Sequence, residues 1–105
     1  MIHVVAVITA KPGLRAQVLE AFHANRPAVL AEKGCVEYVA TVDAQGMPAG
    51  KGTFGEDTFV VVEKWATLDD LKAHAVAPHM AAYGATTKDW LANRVIHVLE
   101  PAEQK

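Results

Sequence analysis

The chain has few of the features that mark secreted, membrane-spanning or nucleic-acid-binding proteins. Its 105 residues include one cysteine, Cys35, which excludes an intrachain disulfide and fits a reducing cytoplasm. Lysine and arginine form no block and the formal net charge is -2, which argues against a nucleic-acid surface. The apolar N-terminal run, residues 1–8, is shorter than the roughly 20 residues of a membrane span and lacks the basic leader of a signal peptide. We expect a cytoplasmic protein.

The chain also lacks the short motifs that hold metals or nucleotides. No His-Glu-x-x-His is present, and His74 and His79 are five positions apart instead of the four of a helical zinc pair. Cys35 has no second cysteine to share a metal. No Gly-x-Gly-x-x-Gly or P-loop occurs. We therefore predict neither a bound metal nor a nucleotide cofactor.

The patterns that are present predict one domain over residues 1–101, followed by a disordered tail over 102–105. Hydrophobic residues make up 51% of the chain, enough for a single core. Residues 2–10 read as a strand that is apolar on both faces. After a turn at Lys11-Pro12-Gly13, helical spacing follows, with Pro27 predicted to kink or restart the helix and Gly34 predicted to cap its C-terminus.

Three further strands complete an α+β, ferredoxin-like prediction. We expect strands over residues 35–42, 59–65 and 94–99, with a broken helical region over 67–91. The order β-α-β-β-α-β, with right-handed crossovers, gives an antiparallel four-stranded sheet with helices on one face. Because both faces of the first strand are apolar and the helices cover only one, we predict a homodimer packed sheet to sheet. The glycine-rich connection over 43–58, which includes Pro48 and Gly50, is either a lid or a hairpin loop.

Residues 63–83 concentrate the side chains suited to chemistry. Glu63 and Trp65 are two apart on a strand and point to one face of the sheet. Thr67 and Asp70 have the spacing of a capping box, which starts a helix that carries His74 at the rim of its buried face. Pro78 should end that helix near Ala77 and start a second one. This break would let His74 and His79 converge, whereas one unbroken helix would set them about 140° apart.

Several segments together resemble the antibiotic biosynthesis monooxygenase family. They are Ala10-Lys11-Pro12-Gly13, Gly34-Cys35 with Tyr38, Glu63-Lys64-Trp65, and His74 with Pro78-His79-Met80 and Tyr83. The glycine-bearing loop before the third strand and the ending Leu99-Glu100-Pro101 are most similar to the bacterial quinol monooxygenase branch. The resemblance implies a dimeric α/β barrel. It also implies oxygenation of a hydroquinone or polycyclic phenol by O2 without metal, flavin or haem.

On this resemblance we expect His79 to be the leading base and His74 its partner, or the donor to the substrate oxygen. Imidazole suits proton transfer at neutral pH. The other expected site residues are Trp65 as a platform for the substrate ring, Tyr83 as a second hydrogen-bonding group, Glu63 as a group that orients a histidine, and Met80 and Phe22 as pocket walls. Most of these residues also have a purely structural interpretation. The histidines would then be surface or capping residues, Trp65 and Tyr83 core side chains, and Glu63 a member of an ion pair across the sheet.

Other functions on the same scaffold remain open. A related branch isomerises a small phosphorylated dione and shares the His74 and Pro78-His79 segment, although its substrate requires a cationic pocket. Haem-degrading relatives have an asparagine where this chain has Ala6, which removes one polar contact to haem. A dimer that binds small aromatics without chemistry is a further alternative, because fold does not fix function.

Overall fold

The computed structural model describes residues 1–47 and 51–103, and its strands and helices follow the predicted order. The elements are β1 (Ile2–Ala10), α1 (Arg15–Leu30), β2 (Cys35–Thr41), β3 (Thr58–Trp65), α2 (Leu68–Ala75), α3 (Pro78–Thr87), a short 3-10 helix (Lys88–Trp90) and β4 (Leu91–Leu99). The strands form one antiparallel sheet in the order β2-β3-β1-β4. This is the arrangement of a ferredoxin-like α+β domain, so that prediction is confirmed.

The core lies between the sheet and the helices. Alternate residues of β1 are buried against the helices, and the residues between them are half-buried on the other face. This alternation follows from the period of two in a strand. On α1, Val18, Phe22 and Val29 are at most 2% exposed and fill the space above the sheet. The sheet therefore has one covered face and one open face.

For α1, the restart predicted as one alternative at Pro27 and the cap predicted at Gly34 are both wrong. The helix is continuous from Arg15 to Leu30 and does not restart at Pro27. Proline removes one backbone donor, but the amide of Ala31 still bonds the carbonyl of Pro27, and Val29 is fully buried, so tertiary packing outweighs the missing bond. The C-terminal cap is Ala31 instead of Gly34. Gly34 has a φ of +81° and makes the turn that leads into β2.

The predicted break between α2 and α3 is confirmed. The Thr67 side chain accepts a hydrogen bond of 3.1 Å from the amide of Asp70 and so caps α2. Ala77 is extended, with a ψ of 139°, and Pro78 occupies the first turn of α3. The residue before a proline is restricted to extended conformations, so the break follows from the sequence. None of the helices in the described part of the chain is both long and apolar enough to cross a membrane.

The connection between β2 and β3 lies at the end of the sheet away from Trp65. Trp65 pairs with Ile2 at the start of β1, and Thr58 pairs with Thr9 near its end. The two ends of β3 are seven residue steps apart, which is about 23 Å. Pro48 and Gly50, on which the lid hypothesis partly rests, lie outside the described residues, as do 104 and 105 of the predicted tail.

Strand β4 and the open face of the sheet expose apolar side chains. Ile96 and Val98 pair with buried residues of β1, yet each is 51% exposed, so the described helices leave this edge uncovered. On the opposite face, Val39, Val95 and Leu99 are also exposed. The single chain does not test the predicted homodimer, which stays a prediction.

Candidate functional site

The end of β3 places Glu63 and Trp65 together under the helices. The indole Nε1 of Trp65 donates a hydrogen bond of 3.0 Å to Oε1 of Glu63, and the two residues are 0% and 6% exposed. Burial raises the pKa of Glu63, while the hydrogen bond from Trp65 and the proximity of His74 act in the opposite direction. The hydrogen bond of Glu63 goes to the indole and not to a histidine, and its role in orienting a histidine stays a prediction.

His74 is held by a different carboxylate. Its Nδ1 lies 2.7 Å from Oε2 of Glu32, in the turn between α1 and β2. The imidazole is packed against the Trp65 ring at 4.6 Å between centroids and meets the Tyr38 ring edge to face at 5.6 Å. His74 is 5% exposed, deeper than the rim position expected from helical spacing alone, because β2 and β3 both contribute cover.

His79 approaches the same carboxylate from α3. Its Nδ1 lies 3.2 Å from Oδ1 of Asn25, and its Nε2 lies 3.2 Å from Oε2 of Glu32. The second distance fits an ion pair but its direction does not fit a hydrogen bond. Within residues 1–47 and 51–103, Nε2 of His79 is the one buried side-chain nitrogen or oxygen without a hydrogen-bond partner. The two imidazole centroids are 6.5 Å apart, so the predicted convergence is confirmed.

A groove between α1 and α3 lies next to His79. Its volume is about 320 Å³, and it is lined by Ala21, Ala24, Asn25, His79, Ala82, Tyr83 and Thr86. Small-molecule pockets typically begin at about 300 Å³, so the groove has room for a small aromatic ring. Burial raises the pKa of Tyr83, although nearby Arg94 opposes the shift. The phenol of Tyr83 is therefore a hydrogen-bond donor at neutral pH.

The remaining predicted site residues lie behind the groove. Phe22 is 2% exposed and stacks on Tyr38 at 5.1 Å between ring centroids. Met80 is half-buried, and its Sδ accepts a contact of 3.4 Å from Nδ2 of Asn25. With the fully buried Trp65, these side chains support the residues of the groove and do not line it. Their contact with a substrate stays a prediction.

Two further cavities lie beside the connection between β2 and β3. Their volumes are about 280 Å³ and 410 Å³, and both are lined in part by Val42, Asp43 and Ala44. Neither contains a predicted site residue. They are at the end of the sheet away from Trp65, so the groove at His79 is the candidate site.

Sequence reasoning missed Glu32 and Asn25. Their partners His74 and His79 lie 42 and 54 positions further along the chain. Helical periodicity relates residues three or four apart and gives no information at such separations. Burial and hydrogen bonding in the folded chain are what identify both residues.

Comparisons with a family model and with named proteins both indicate the same family. The family described as "Antibiotic biosynthesis monooxygenase" matches residues 1–86. A protein named "Probable quinol monooxygenase YgiN" in Escherichia coli (strain K12) is 34% identical over 103 residues, covering 96% of this chain and 98% of its own length. The similarity therefore extends over nearly the full length of both chains.

Solved structures share the fold at lower identity. A protein from Nitrosomonas europaea superimposes with a TM-score of 0.81 at 20% identity, covering 98% of this chain and 100% of its own. A protein from Caulobacter crescentus CB15 gives a TM-score of 0.80 at 28% identity, covering 97% of this chain and 90% of its own. At 20% identity, the similarity to the Nitrosomonas protein supports a shared fold and nothing further.

Proposed function

The chain belongs to the antibiotic biosynthesis monooxygenase family, and on that premise we propose that it oxidises a hydroquinone or a polycyclic phenol with O2 without a bound metal, flavin or haem. The observation that carries this proposal is a groove large enough for an aromatic ring, bordered by His79. The imidazole of His79 lies between the amide of Asn25 and the carboxylate of Glu32. The similarity to a protein named as a probable quinol monooxygenase supports the substrate class.

The substrate ring occupies the groove between α1 and α3. The methyl groups of Ala21, Ala24 and Ala82 contact its faces. The phenolic oxygen lies towards His79, and Tyr83 donates a hydrogen bond to an oxygen of the ring. Apolar walls with few polar groups are typical of sites that orient an aromatic ligand.

The chemistry starts with proton transfer from the phenol to an imidazole. The O–H bond breaks and an N–H bond forms, which leaves a phenolate. The phenolate gives one electron to triplet O2, and the ring radical and superoxide combine into a peroxide at a ring carbon that still carries hydrogen. The peroxide gains a proton and loses water, leaving a carbonyl at that carbon. One oxygen atom of O2 stays in the quinone and the other leaves as water, together with the hydrogens of the original O–H and C–H bonds.

His79 is the base in this proposal and His74 is its partner. A base positioned near the substrate proton typically contributes about 10² to 10⁴ in rate. Trp65 packs against the His74 ring, and Glu63 in turn holds the indole by accepting its hydrogen bond. Exclusion of water lowers the local dielectric constant and so strengthens the electrostatic interactions of the imidazoles.

A second copy of the chain covers the open face of the sheet. Val39, Val95 and Leu99 are 37%, 41% and 49% exposed on that face. Burying such a surface in a homodimer removes apolar area from water. Light scattering at micromolar concentration should give twice the mass of one chain, and a monomer would exclude this assembly.

Oxygen consumption tests the proposed reaction. Metal-stripped protein is mixed with a reduced naphthoquinol, and autoxidation is measured without protein. We expect enzyme-dependent uptake, reduced about 10² to 10⁴-fold in His79→Ala. His23→Ala is the matched control, because His23 is exposed on α1 and borders no part of the groove. Uptake equal to the protein-free rate would remove quinols as substrates.

Isotopic oxygen separates oxygenation from plain oxidation. With ¹⁸O2, the proposed route places one labelled atom in the product and one in water. Plain oxidation of a hydroquinone would leave the product unlabelled and release labelled hydrogen peroxide.

A further inference from the structure

We propose that Glu32 is the positioning residue of this site. Its carboxylate fixes the proton of His74 on Nδ1, and the same carboxylate balances the charge of a proton that His79 takes up. The inference rests on the proposed function, because a fixed tautomer affects the rate only where the histidines handle the substrate proton. Glu32 itself lies outside the lining of the groove.

The contact with His74 determines its tautomer. An ionised carboxylate only accepts hydrogen bonds, so Nδ1 of His74 must carry the hydrogen across the 2.7 Å contact. The side chains of His74 and Glu32 are 7% and 16% exposed. Such a charge-assisted bond is stronger than a neutral one and is weakly screened when buried.

The contact with His79 is of a different kind. Nδ2 of Asn25 donates to Sδ of Met80, so its Oδ1 faces His79 and accepts from Nδ1 of that ring. In the neutral ring, the lone pair of Nε2 would then lie 3.2 Å from a carboxylate oxygen. A proton on Nε2 replaces this repulsion with attraction. Glu32 is therefore placed to balance the charge of a proton that His79 takes up from the substrate.

The neighbouring elements bring other titratable groups to this cluster, but none of them contacts both imidazoles. Strand β3 brings Glu63 near His74, and burial raises the pKa of that carboxyl. Strand β2 brings Tyr38 and Cys35, and burial raises the pKa of each as well. From α3 comes Tyr83, whose pKa burial also raises. Each of these groups is thus shifted towards its uncharged form.

One cation also lies close by. Arg26 of α1 donates from Nε to the carbonyl oxygen of Tyr38 at 2.6 Å, and it acts electrostatically on Cys35. In the described part of the chain, Arg26 forms no hydrogen bond or ion pair with the histidines or with Glu32. Glu32 therefore remains the charged group placed directly between His74 and His79.

The backbone around Glu32 is already fixed before substrate binds. Its amide donates to the carbonyl of Val29 at 3.0 Å, and its carbonyl accepts from the amide of Cys35 at 3.3 Å. Val29 is fully buried, which ties this turn to the core. A carboxylate held on such a turn loses little entropy when it orients the imidazoles, as efficient catalysis requires.

Nuclear magnetic resonance of ¹⁵N-histidine-labelled protein tests the tautomers without any substrate. We expect His74 to carry its proton on Nδ1 in the wild type and in Glu32→Gln, whose amide oxygen still accepts. In Glu32→Ala the His74 tautomers should mix. Glu20→Gln, which changes an exposed carboxylate on α1, should leave the spectrum unchanged. A wild-type His74 protonated on Nε2, or an unchanged His74 in Glu32→Ala, would overturn the proposal.

Kinetics with the naphthoquinol separate orientation from charge. We expect kcat to fall about tenfold to a hundredfold in Glu32→Gln, with KM nearly unchanged, because the acceptor is kept and the charge is lost. Glu32→Asp keeps the charge and should recover more of kcat than Glu32→Ala. Equal kcat in the wild type and Glu32→Ala would refute the positioning role. If no variant, including the wild type, consumes oxygen, the proposed function fails while the tautomer measurement still decides the role of Glu32.

Discussion

Replacing Glu63 with glutamine should stabilise the protein at neutral pH. The carboxyl is 6% exposed and has a hydrogen bond of 3.0 Å from Trp65 Nε1. Burial raises its pKa in the folded state above the ordinary 4.5, and the contributions of Trp65 and His74 offset only part of this. Above pH 4.5 the unfolded chain has lost this proton while the folded chain still retains it. The folded state then binds more protons, so stability falls as pH rises through this window.

The expected size follows from two opposing terms. Glutamine keeps an acceptor for the indole N–H, but a neutral hydrogen bond is weaker than a charge-assisted one by about 1 kcal/mol. Against this, glutamine removes the cost of desolvating a buried carboxylate, which is on the order of several kcal/mol. Because burial is the largest cause of the raised pKa, the second term should prevail. We expect a net gain of about 1 kcal/mol at pH 7, or roughly 4–8 °C in Tm.

Thermal unfolding followed by circular dichroism at pH 7 and pH 4 measures the effect. At pH 4 the Glu63 carboxyl is mostly protonated in both the folded and the unfolded state, so the gain in stability from Glu63→Gln should largely disappear. Glu20→Gln, on the exposed side of α1, should shift Tm little at either pH. A gain of equal size at both pH values would refute the electrostatic reasoning, and so would a variant that is less stable than the wild type at pH 7.

Two further predictions concern turns. Gly34 has a φ of +81°, and a Cβ there would overlap the side chain of Asp70, so Gly34→Ala should cost about 1–3 kcal/mol in urea unfolding. Adding Asp70→Ala should recover only part of this cost, because the Cβ of residue 70, 2.7 Å from the added Cβ, and the positive φ both remain. Asp43 accepts hydrogen bonds from the amides of Phe54 and Gly55, at 3.0 Å and 2.8 Å, which hold its pKa below the ordinary 3.8. These bonds persist above pH 3.8 and are lost as pH falls through the lowered pKa. Asp43→Asn should therefore speed amide exchange at both residues at pH 7 with little change in Tm, and unchanged exchange would contradict it.

The parts of the fold that the sequence predicted are those set by near neighbours. The Thr67 cap depends on a residue three positions away, and the break at Ala77 depends on Pro78 alone. The antiparallel order followed from strand spacing and chain crossover rules. The convergence of His74 and His79 followed from the same break, so one local signal correctly predicted a contact between two helices.

What the sequence could not predict depends on long-range packing. Pro27 reads as a helix breaker, yet the burial of Val29 holds the helix together beyond it. No sequence pattern marks Glu32 as a site residue, but the fold brings it within 2.7 Å of His74. Only the relative placement of α1, α2 and α3 makes it part of the site.

Strand β3 keeps the histidine cluster apart from the β2–β3 connection, so sequence changes in the connection are distinct from changes in the site. Its last residues carry Glu63 and Trp65, and its first residue, Thr58, follows the β2–β3 connection about 23 Å away. Pairing with β1 on one side and β2 on the other fixes the register of β3 between these ends. Insertions, deletions or grafts in the connection can therefore accumulate without moving the histidine cluster of the same chain. The connection is accordingly the natural region to randomise in a library that seeks altered properties on this scaffold.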